Sequence, residues 1–325
     1  MFVELTSREG LVGLGEAAPS ARYDENADAA VAFFELVNPY QVAFSDVAGS
    51  MRYVDALKPG NFAAKGALNM ALLDGAARLA GKPIYDYLGL GFQEGKHVTS
   101  FSLGIASPAE IRSKAAEAAH YPIFKLKIGS PHDRENLAAL REVAPKTPVR
   151  VDVNEGWATK EEALGHIEWL ATDAGIQFIE QPLPARNPLS DFAWLKARSP
   201  LPILADESYL YARDIDHCAE AFHGVNVKLV KAGGITAACE ALRTARRAGL
   251  KTMLGCMIES SVLISAAAHL AELTDYLDFD GNMLITNDPF RGVTAVNGRV
   301  SFAQAQVQTG LRVNAIGAPL STTAG

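Results

Sequence analysis

The chain is short of several features that mark specialised classes of protein. It has only three cysteines among 325 residues, Cys218, Cys239 and Cys256, and their spacing matches neither a disulfide framework nor a metal or redox motif. No uncharged apolar stretch approaches the roughly 18 residues that would span a bilayer, and the first residues resemble no signal peptide. We therefore expect no membrane partner and a cytoplasmic location.

Basic runs are also missing. Lys and Arg number 30 against 37 Asp and Glu, so the formal net charge is −7, and no basic cluster could neutralise a nucleic-acid backbone. Nucleic acid is therefore not expected as a partner. Hydrophobic residues, by contrast, make up 49% of the chain, which at roughly 150 residues per domain predicts about two well-packed units.

The first predicted unit is a small α+β capping domain over residues 1–97. Residues 2–5 and 11–15 have the pattern of a hairpin, and helical patterns follow over residues 25–34 and 61–80. From residue 98 the sequence pattern changes to short β-rich runs that alternate with helical stretches. This pattern is typical of βα units around a parallel sheet.

The second predicted unit is a barrel over residues 98–299. Eight strands are predicted, at residues 99–105, 123–128, 149–153, 177–179, 203–205, 225–229, 252–254 and 276–279. Helix signals lie between them: capping boxes begin at Ser107 and Thr159, and Gly249 closes a helix that begins near Thr236. Eight strands indicate a closed barrel, and residues 300–325 are expected to return to the capping domain.

Charged residues recur at the ends of the predicted strands. With gaps of 25, 28, 26 and 22 residues, the following residues each finish an apolar run: Lys127, Asp152, Glu180, Asp206 and Lys228. Asp278 follows 50 residues later, which is two further units of 25. Because the carboxyl ends of barrel strands converge on one face, the spacing predicts one shared site of lysines and carboxylates.

Three of these residues are candidate metal ligands. Asp152, Glu180 and Asp206 end three successive strands and offer hard oxygen ligands without nearby cysteine or histidine. Such a donor set favours Mg²⁺, with Mn²⁺ as the other possibility, over zinc. We expect one ion per subunit.

Two lysines are candidate bases. Lys127 and Lys228 lie four strands apart and should approach one carbon from opposite sides of the barrel mouth. A lysine acts as a base when its pKa falls from about 10.4 toward 7 or 8, which a nearby Mg²⁺ or the ammonium of Lys125 would promote. Lys231 is interpreted as a surface residue instead. The predicted chemistry is proton abstraction next to a carboxylate, which racemises or epimerises the substrate.

These motifs resemble those of the enolase superfamily, muconate-lactonising subgroup, over nearly the whole chain. The matching segments are Gly13-Leu14-Gly15-Glu16, the helix from Ala67 to Gly81, Lys125-Leu126-Lys127, Asp152-Val153-Asn154, Ile179-Glu180-Gln181-Pro182, Ala205-Asp206-Glu207-Ser208 and Lys228 before Gly233-Gly234. The resemblance implies an α/β fold, a (β/α)7β modified TIM barrel with an N-terminal capping domain. It also implies a homo-oligomer.

Within the subgroup, the chain is similar to dipeptide epimerases that act on L-Ala-D/L-Glu. Asp278-Phe279-Asp280 matches their Asp-x-Asp signature, which implies that Asp278 and Asp280 bind the free ammonium of the dipeptide. The resemblance further implies that Lys125 contacts the substrate carboxylate and that Ser102 and Cys256 line the substrate site. The segment Arg22-Tyr23 resembles the second cap loop and is expected to read the substrate.

The resemblance is incomplete at the start of the chain. Family members begin with a further strand and a mobile lid loop before Gly-x-Gly-Glu, so the cap is expected to be truncated here, through a missed start or a lost lid. Two alternative functions therefore stay open. One is an o-succinylbenzoate synthase, N-acylamino acid racemase or cycloisomerase of the same subgroup, and the other is a non-catalytic remnant.

Overall fold

A hairpin and four helices form the N-terminal unit of the computed structural model, which describes residues 1–317. The strands are β1 (Phe2–Thr6) and β2 (Val12–Glu16), and the helices are α1 (Ala27–Phe34), α2 (Val47–Leu57), α3 (Phe62–Leu79) and α4 (Ile84–Tyr87). The predicted hairpin and both predicted helices are confirmed to within about two residues at each end.

Strand β2 packs directly on helix α3, and two glycines make this approach possible. A Cβ atom at Gly13 would overlap the carbonyl oxygen of Ala71, and one at Gly15 would overlap that of Ala67. Helix α3 is buried along most of its length, so the hairpin packs against the most buried helix of the cap. The Gly-x-Gly pattern is therefore a packing requirement between a strand and a helix.

Eight parallel strands form the barrel, in sequence order around the sheet. They are β3 (Phe101–Leu103), β4 (Phe124–Lys127), β5 (Val149–Asp152), β6 (Ile176–Glu180), β7 (Ile203–Ala205), β8 (Gly224–Val227), β9 (Lys251–Leu254) and β10 (Tyr276–Leu277). A parallel bridge between Thr99 and Leu277 joins the two edge strands. All eight predicted strands are confirmed, and the barrel closes as expected.

Helices fill each of the seven connections between these strands. They are α5 (Pro108–Glu117), α6 (Asp133–Val143), α7 (Lys160–Leu170), α8 (Leu189–Lys196), α9 (Ile215–Ala221), α10 (Leu229–Ala232), α11 (Ile235–Arg247) and α12 (Ser261–Ala268). Each barrel strand before the last is thus followed by at least one helix, and β10 is the eighth strand. The predicted (β/α)7β architecture is confirmed.

Local sequence signals explain where several of these helices begin and end. Ser107 and Glu110 exchange both hydrogen bonds of a capping box at the start of α5. Thr159 accepts a hydrogen bond from the amide of Glu162, but the Glu162 carboxylate accepts from the amide of Ala158, so the predicted second box is only half formed. Gly249, with φ +77°, follows the end of α11 as predicted.

One carboxylate from the cap fixes the cap to the barrel. Glu16, at the end of β2, is 5% exposed and accepts hydrogen bonds from the amides of Ser260 and Leu263 and from the Ser260 hydroxyl, at 2.6 to 3.0 Å. These donors lie at the N-terminus of α12, where unpaired amides and the helix dipole favour an anion. The Glu16 contact therefore holds the cap next to the loop that follows β9.

The last described segment contacts both units. Four short strands lie in it: β11 (Phe290–Arg291), β12 (Thr294–Val296), β13 (Arg299–Ser301) and β14 (Asn314–Ala315). The amide of Val293 donates to the Ser265 hydroxyl on α12 of the barrel, and the amide of Leu311 donates to Asp74 on α3 of the cap. The predicted return of residues 300–325 to the cap stays a prediction, and residues 318–325 lie outside the described residues.

Across residues 1–317, no helix has the length and apolar character needed to cross a membrane.

Candidate active site

The carboxyl ends of the barrel strands open into a cavity of about 280 Å³. Eight of the ten residues predicted for the site line it: Ser102, Lys125, Lys127, Asp152, Lys228, Cys256, Asp278 and Asp280. The other two, Glu180 and Asp206, end neighbouring strands and are almost fully buried. The structure thus brings together the side chains that the strand-end spacing predicts, because each strand of the parallel barrel delivers its last residues to one face.

Lys125 lies at the centre of the buried charges. Its ammonium is 2.9 Å from Asp152 Oδ2, 3.0 Å from Glu180 Oε2 and 2.7 Å from Asp278 Oδ2. Burial alone would lower the pKa of Lys125, but these three carboxylates outweigh it, and the pKa lies well above its usual value. Lys125 therefore carries a permanent positive charge in the barrel mouth.

The three predicted metal ligands have the chemistry of a site for a hard divalent cation. Asp152, Glu180 and Asp206 supply only carboxylate oxygens, and the buried Glu180 Oε2 faces the Lys125 ammonium at 3.0 Å but accepts no well-aligned hydrogen bond among the described residues. Burial and the neighbouring Asp152 raise the pKa of Glu180 to about 8, because its neighbours neutralise this carboxylate only in part. The donor set therefore fits Mg²⁺ or Mn²⁺.

The carboxylates of Asp152, Glu180 and Asp206 are not already positioned around a common metal site. Among residues 1–317 no group of three His, Cys, Asp or Glu side chains is already arranged to hold a metal ion. Ammonium groups lie against the carboxylates instead, with Lys125 on Asp152 and Glu180, and Lys228 on Asp206. A bound cation would thus share these oxygens with lysines.

Asp206 is held by two ammonium groups. Lys228 Nζ donates to Oδ2 at 2.7 Å and Lys231 Nζ donates to Oδ1 at 2.6 Å. Burial disfavours the charged carboxylate, but both lysines oppose it and keep the pKa of Asp206 below its ordinary value. The pKa of Lys228 is raised, because the charges of Asp206 and Glu180 outweigh its burial.

One expectation about the lysines was wrong. Lys231 is 4% exposed, and besides Asp206 it donates to the carbonyls of Tyr209 and Asn226, so it is a buried partner of the strand ends and not a surface residue. The short helix α10 begins directly after Lys228 and turns Lys231 back into the barrel. The lowered pKa expected for Lys228 as a base would require a bound cation to offset the charge of Asp206, which faces its ammonium.

Lys127 has a different environment from Lys228. Its ammonium donates to the neutral amide oxygen of Asn154 at 2.7 Å and lies 3.8 Å from Asp152 Oδ2, and its side chain is 39% exposed. Strand β4 carries Lys127 and β8 leads into Lys228, four positions around the sheet. The two ammonium groups therefore face the cavity from opposite walls.

Asp278 and Asp280 follow β10 and make unequal contacts. Asp278 accepts from the Ser100 hydroxyl and from Lys125, both at 2.7 Å, so each of its oxygens has a partner. Asp280 accepts from the amide of Ser102 at 2.8 Å, while its other oxygen has, among residues 1–317, only the Cys256 thiol as a partner, 3.9 Å away. Burial and the charge of Asp278 raise the pKa of Asp280 to about 6.

Other lining residues come from loops. Arg22 and Tyr23 reach the cavity from the cap, in the loop expected from the sequence to read the substrate. Asn154 and Glu207 reach it from barrel loops and were given no role from the sequence. Burial, with Asp206 and Asp152 nearby, raises the pKa of Glu207 to about 7. Asn154 was detectable as the residue two places after Asp152, but Glu207 follows a strand-end ligand with no spacing signal. A larger cavity of about 810 Å³ adjoins the site between cap and barrel.

Comparison with known proteins gives matches over nearly the whole chain. Residues 1–89 match the family model "Mandelate racemase / muconate lactonizing enzyme, N-terminal domain", and residues 109–306 match "Enolase C-terminal domain-like". The L-Ala-D/L-amino acid epimerase of Pedosphaera parvula is 62% identical over 314 residues, which is 97% of this chain and 90% of that protein.

Solved structures are similar as well. A substrate-liganded complex of the L-Ala-D/L-Glu epimerase from Bacillus subtilis has a TM-score of 0.88 at 29% identity, covering 98% of this chain and 91% of its own. A dipeptide epimerase from Cytophaga hutchinsonii, complexed with Mg and the dipeptide D-Ala-L-Val, has a TM-score of 0.87 at 28% identity, with coverage of 97% and 88%. The chain therefore belongs to the mandelate racemase and muconate-lactonizing group of the enolase superfamily, and it is an isomerase.

Proposed function

We propose that the protein is an Mg²⁺-dependent dipeptide epimerase, similar to L-Ala-D/L-Glu epimerases, that inverts the α-carbon of the C-terminal residue. One observation carries the proposal: the ammonium groups of Lys127 and Lys228 face a single cavity from opposite walls of the barrel. The 62% identity to a protein named L-Ala-D/L-amino acid epimerase supports a dipeptide as substrate.

Inversion requires a base on one face of the α-carbon and an acid on the other. In the proposed 1,1-proton transfer, one lysine in its neutral form takes the α-proton, and the other, as an ammonium, returns a proton to the opposite face. The roles reverse for the other epimer. A pair of lysines on strands β4 and β8 meets this requirement, because a carbon placed between them is open to attack from both sides.

The two lysines differ in their surroundings. Lys228 donates to the Asp206 carboxylate, which raises the pKa of Lys228. Lys127 donates to the neutral amide oxygen of Asn154 and lies 3.8 Å from Asp152 Oδ2. The substrate epimer decides which lysine takes the proton: Lys127 acts as the base when the α-proton points toward β4, and Lys228 acts as the base when it points toward β8.

Other residues hold the dipeptide in place. Asp280 has an oxygen that makes only a weak thiol contact and is the better acceptor for the substrate ammonium, while Asp278 adds negative charge behind it. Lys125 attracts the substrate carboxylate, and Ser102 and Cys256 line the wall beside it. The substrate would thus span the mouth from Asp280 to the lysine pair.

A cation held by Asp152, Glu180 and Asp206 would offset the negative charge that develops on the substrate carboxylate as the α-proton leaves. Lys125 contributes to the same stabilisation, because its ammonium lies between Asp152 and Glu180 and stays protonated. Enolate formation is then assisted by fixed positive charge instead of by solvent.

Deuterium exchange tests the proposal directly. In D₂O with MgCl₂, the α-hydrogen of the C-terminal residue of L-Ala-L-Glu or L-Ala-L-Leu should be replaced by deuterium, as followed by ¹H NMR. Lys127→Ala and Lys228→Ala should each stop inversion, and chelation by EDTA should stop it in the parent. Lys146→Ala, at an exposed position far from the cavity, is the matched control and should leave the rate unchanged.

Two outcomes would contradict the proposal. Inversion that survives both lysine substitutions would exclude the two-base mechanism. Turnover of N-acylated amino acids with no exchange in any free dipeptide would favour the alternative racemase function, since such substrates lack the ammonium that Asp280 is proposed to bind.

We also propose a homo-oligomeric state and a cytoplasmic location. Three free cysteines, two of them buried, are compatible with a reducing compartment. Light scattering during size-exclusion chromatography would determine the mass in solution, and a mass of one chain, 34.7 kDa, would contradict the first expectation.

A further inference from the structure

An ion pair connects the cap loop to the barrel at the edge of the cavity. Arg22 lines the cavity, and both its Nε and its Nη2 donate to Glu155 Oε2, at 3.1 and 2.8 Å. The two residues are 133 positions apart in the sequence. The guanidinium is thus drawn away from the cavity toward a carboxylate that does not line it.

Glu155 is itself held in place. Its other oxygen accepts a hydrogen bond from the amide of Ala185 at 2.6 Å, and its backbone is in the left-handed region, with φ +67°. The side chain is 21% exposed, against 47% for Arg22. A fixed, partly buried carboxylate that accepts two charge-assisted hydrogen bonds is a stronger partner than a mobile surface acid.

The ion pair lies close to the proposed base Lys127. Glu155 directly follows Asn154, which accepts from the Lys127 ammonium. A carbon poised between Lys127 and Lys228 would therefore have its substituents close to Asn154 and Arg22. Glu207 also lines the cavity and adds a second carboxyl group here.

The same mouth exposes apolar side chains. Ile258 and Leu284 line the cavity and are 68% and 52% exposed, and Met257 lies beside them. Covering exposed apolar side chains with an apolar group of the substrate is favourable, because it removes apolar surface from water. An uncharged substrate side chain would gain this contact and would leave the ion pair intact.

We propose that Glu155 is a specificity-determining residue, which holds Arg22 so that the enzyme prefers dipeptides with an uncharged side chain on the C-terminal residue. The inference rests on the proposed function. An acidic side chain could use Arg22 only by displacing Glu155, and a basic one could use Glu155 only by displacing Arg22. Each displacement leaves one charge of the pair without its partner.

The test compares kcat/KM for L-Ala-L-Leu, L-Ala-L-Glu and L-Ala-L-Lys. The parent should prefer the leucine dipeptide. Glu155→Gln should release Arg22 and raise the ratio of L-Ala-L-Glu to L-Ala-L-Leu by roughly tenfold, because one charge-assisted hydrogen bond becomes available to the substrate. Adding Arg22→Met to Glu155→Gln should abolish that gain.

A second variant tests the basic dipeptide, and a matched control tests whether any broken ion pair has the same effect. Arg22→Met alone leaves the Glu155 carboxylate without its partner and should raise the ratio of L-Ala-L-Lys to L-Ala-L-Leu. Glu142→Gln breaks a comparable ion pair with Arg112, at 2.6 Å on the outer helices, and should change neither ratio.

The outcomes separate the two proposals. A parent that turns over dipeptides while both ratios stay within twofold in Glu155→Gln and Arg22→Met would overturn the role of Glu155 and leave the epimerase function standing. A gain for L-Ala-L-Glu that persists in the double variant would also overturn it. A parent with no activity on any dipeptide would overturn the proposed function and this inference with it.

Discussion

The ammonium of Lys228 lies 2.7 Å from Asp206 Oδ2, so a proposed base and a proposed metal ligand neutralise each other. Both side chains are almost fully buried, and Lys231 completes the cluster on the other carboxylate oxygen. Buried charges are tolerated only when they are paired, so the proton-transfer machinery is also part of the stability of the barrel mouth. This coupling leads to the first prediction.

Asp206→Asn should destabilise the fold. The substitution removes the counter-charge of two buried ammonium groups, and breaking a buried pair in this way costs about 3–5 kcal/mol. Urea unfolding followed by circular dichroism measures the loss. Asp216→Asn, at an exposed position on α9, is the control and should stay within about 0.5 kcal/mol of the parent. An unchanged unfolding midpoint in Asp206→Asn would show that the cluster is not a stabilising element.

Asp280→Asn should weaken binding of dipeptides that have a free N-terminus. The variant keeps an acceptor for the Ser102 amide but loses the negative charge proposed to face the substrate ammonium. We expect KM for L-Ala-L-Leu to rise by about tenfold or more. N-acetyl-L-Ala-L-Leu, which has no ammonium, serves as the matched ligand, and its inhibition constant should be similar in parent and variant. An equal loss for both ligands would contradict the assigned role.

Glu272 should contribute stability that depends on pH. Burial opposes its charged form, but hydrogen bonds from Lys96, His97 and the amide of Gln93 lower its pKa from the ordinary 4.5 to about 2. A carboxyl with a lowered folded-state pKa stabilises the fold above its unfolded pKa, and this contribution is lost as the pH falls through the folded pKa. The difference in unfolding free energy between the parent and Glu272→Gln should therefore be constant above about pH 5 and shrink toward pH 2.

Chemical denaturation at several pH values from 2 to 7 checks this prediction. Glu240→Gln, an exposed acid on α11, should differ little from the parent across the same range. A difference for Glu272→Gln that grows as the pH falls would reverse the expected sign and reject the assignment.

Gly15→Ala should destabilise the cap. The added methyl group would overlap the carbonyl oxygen of Ala67, so β2 and α3 would have to separate, at a cost of about 1–3 kcal/mol. Gly165→Ala is the control with the opposite expected effect, because Gly165 lies in α7 with open space around it. The alanine should stabilise the helix by about 0.5–1 kcal/mol. Thermal unfolding measures both variants, and equal unfolding midpoints for the two would contradict the packing argument.

Much of the site was predictable because a parallel barrel converts sequence spacing into spatial proximity. One residue at the end of each strand, repeated about every 25 residues, places Lys127, Asp152 and Lys228 on one cavity. Lys125 lies two residues before Lys127 on β4, so the two-residue period of a strand places both side chains on the same cavity. These are local regularities, so the sequence by itself determined the barrel and the charged mouth.

Other relationships were decided only by the tertiary structure. The burial of Lys231 follows from a turn of helix directly after β8, and the ion pair of Arg22 with Glu155 joins residues 133 positions apart. Likewise, the raised pKa of Lys228 depends on which carboxylate faces it. Contacts between loops and between cap and barrel have no period in the sequence, since they depend on which distant segments the folded chain brings together.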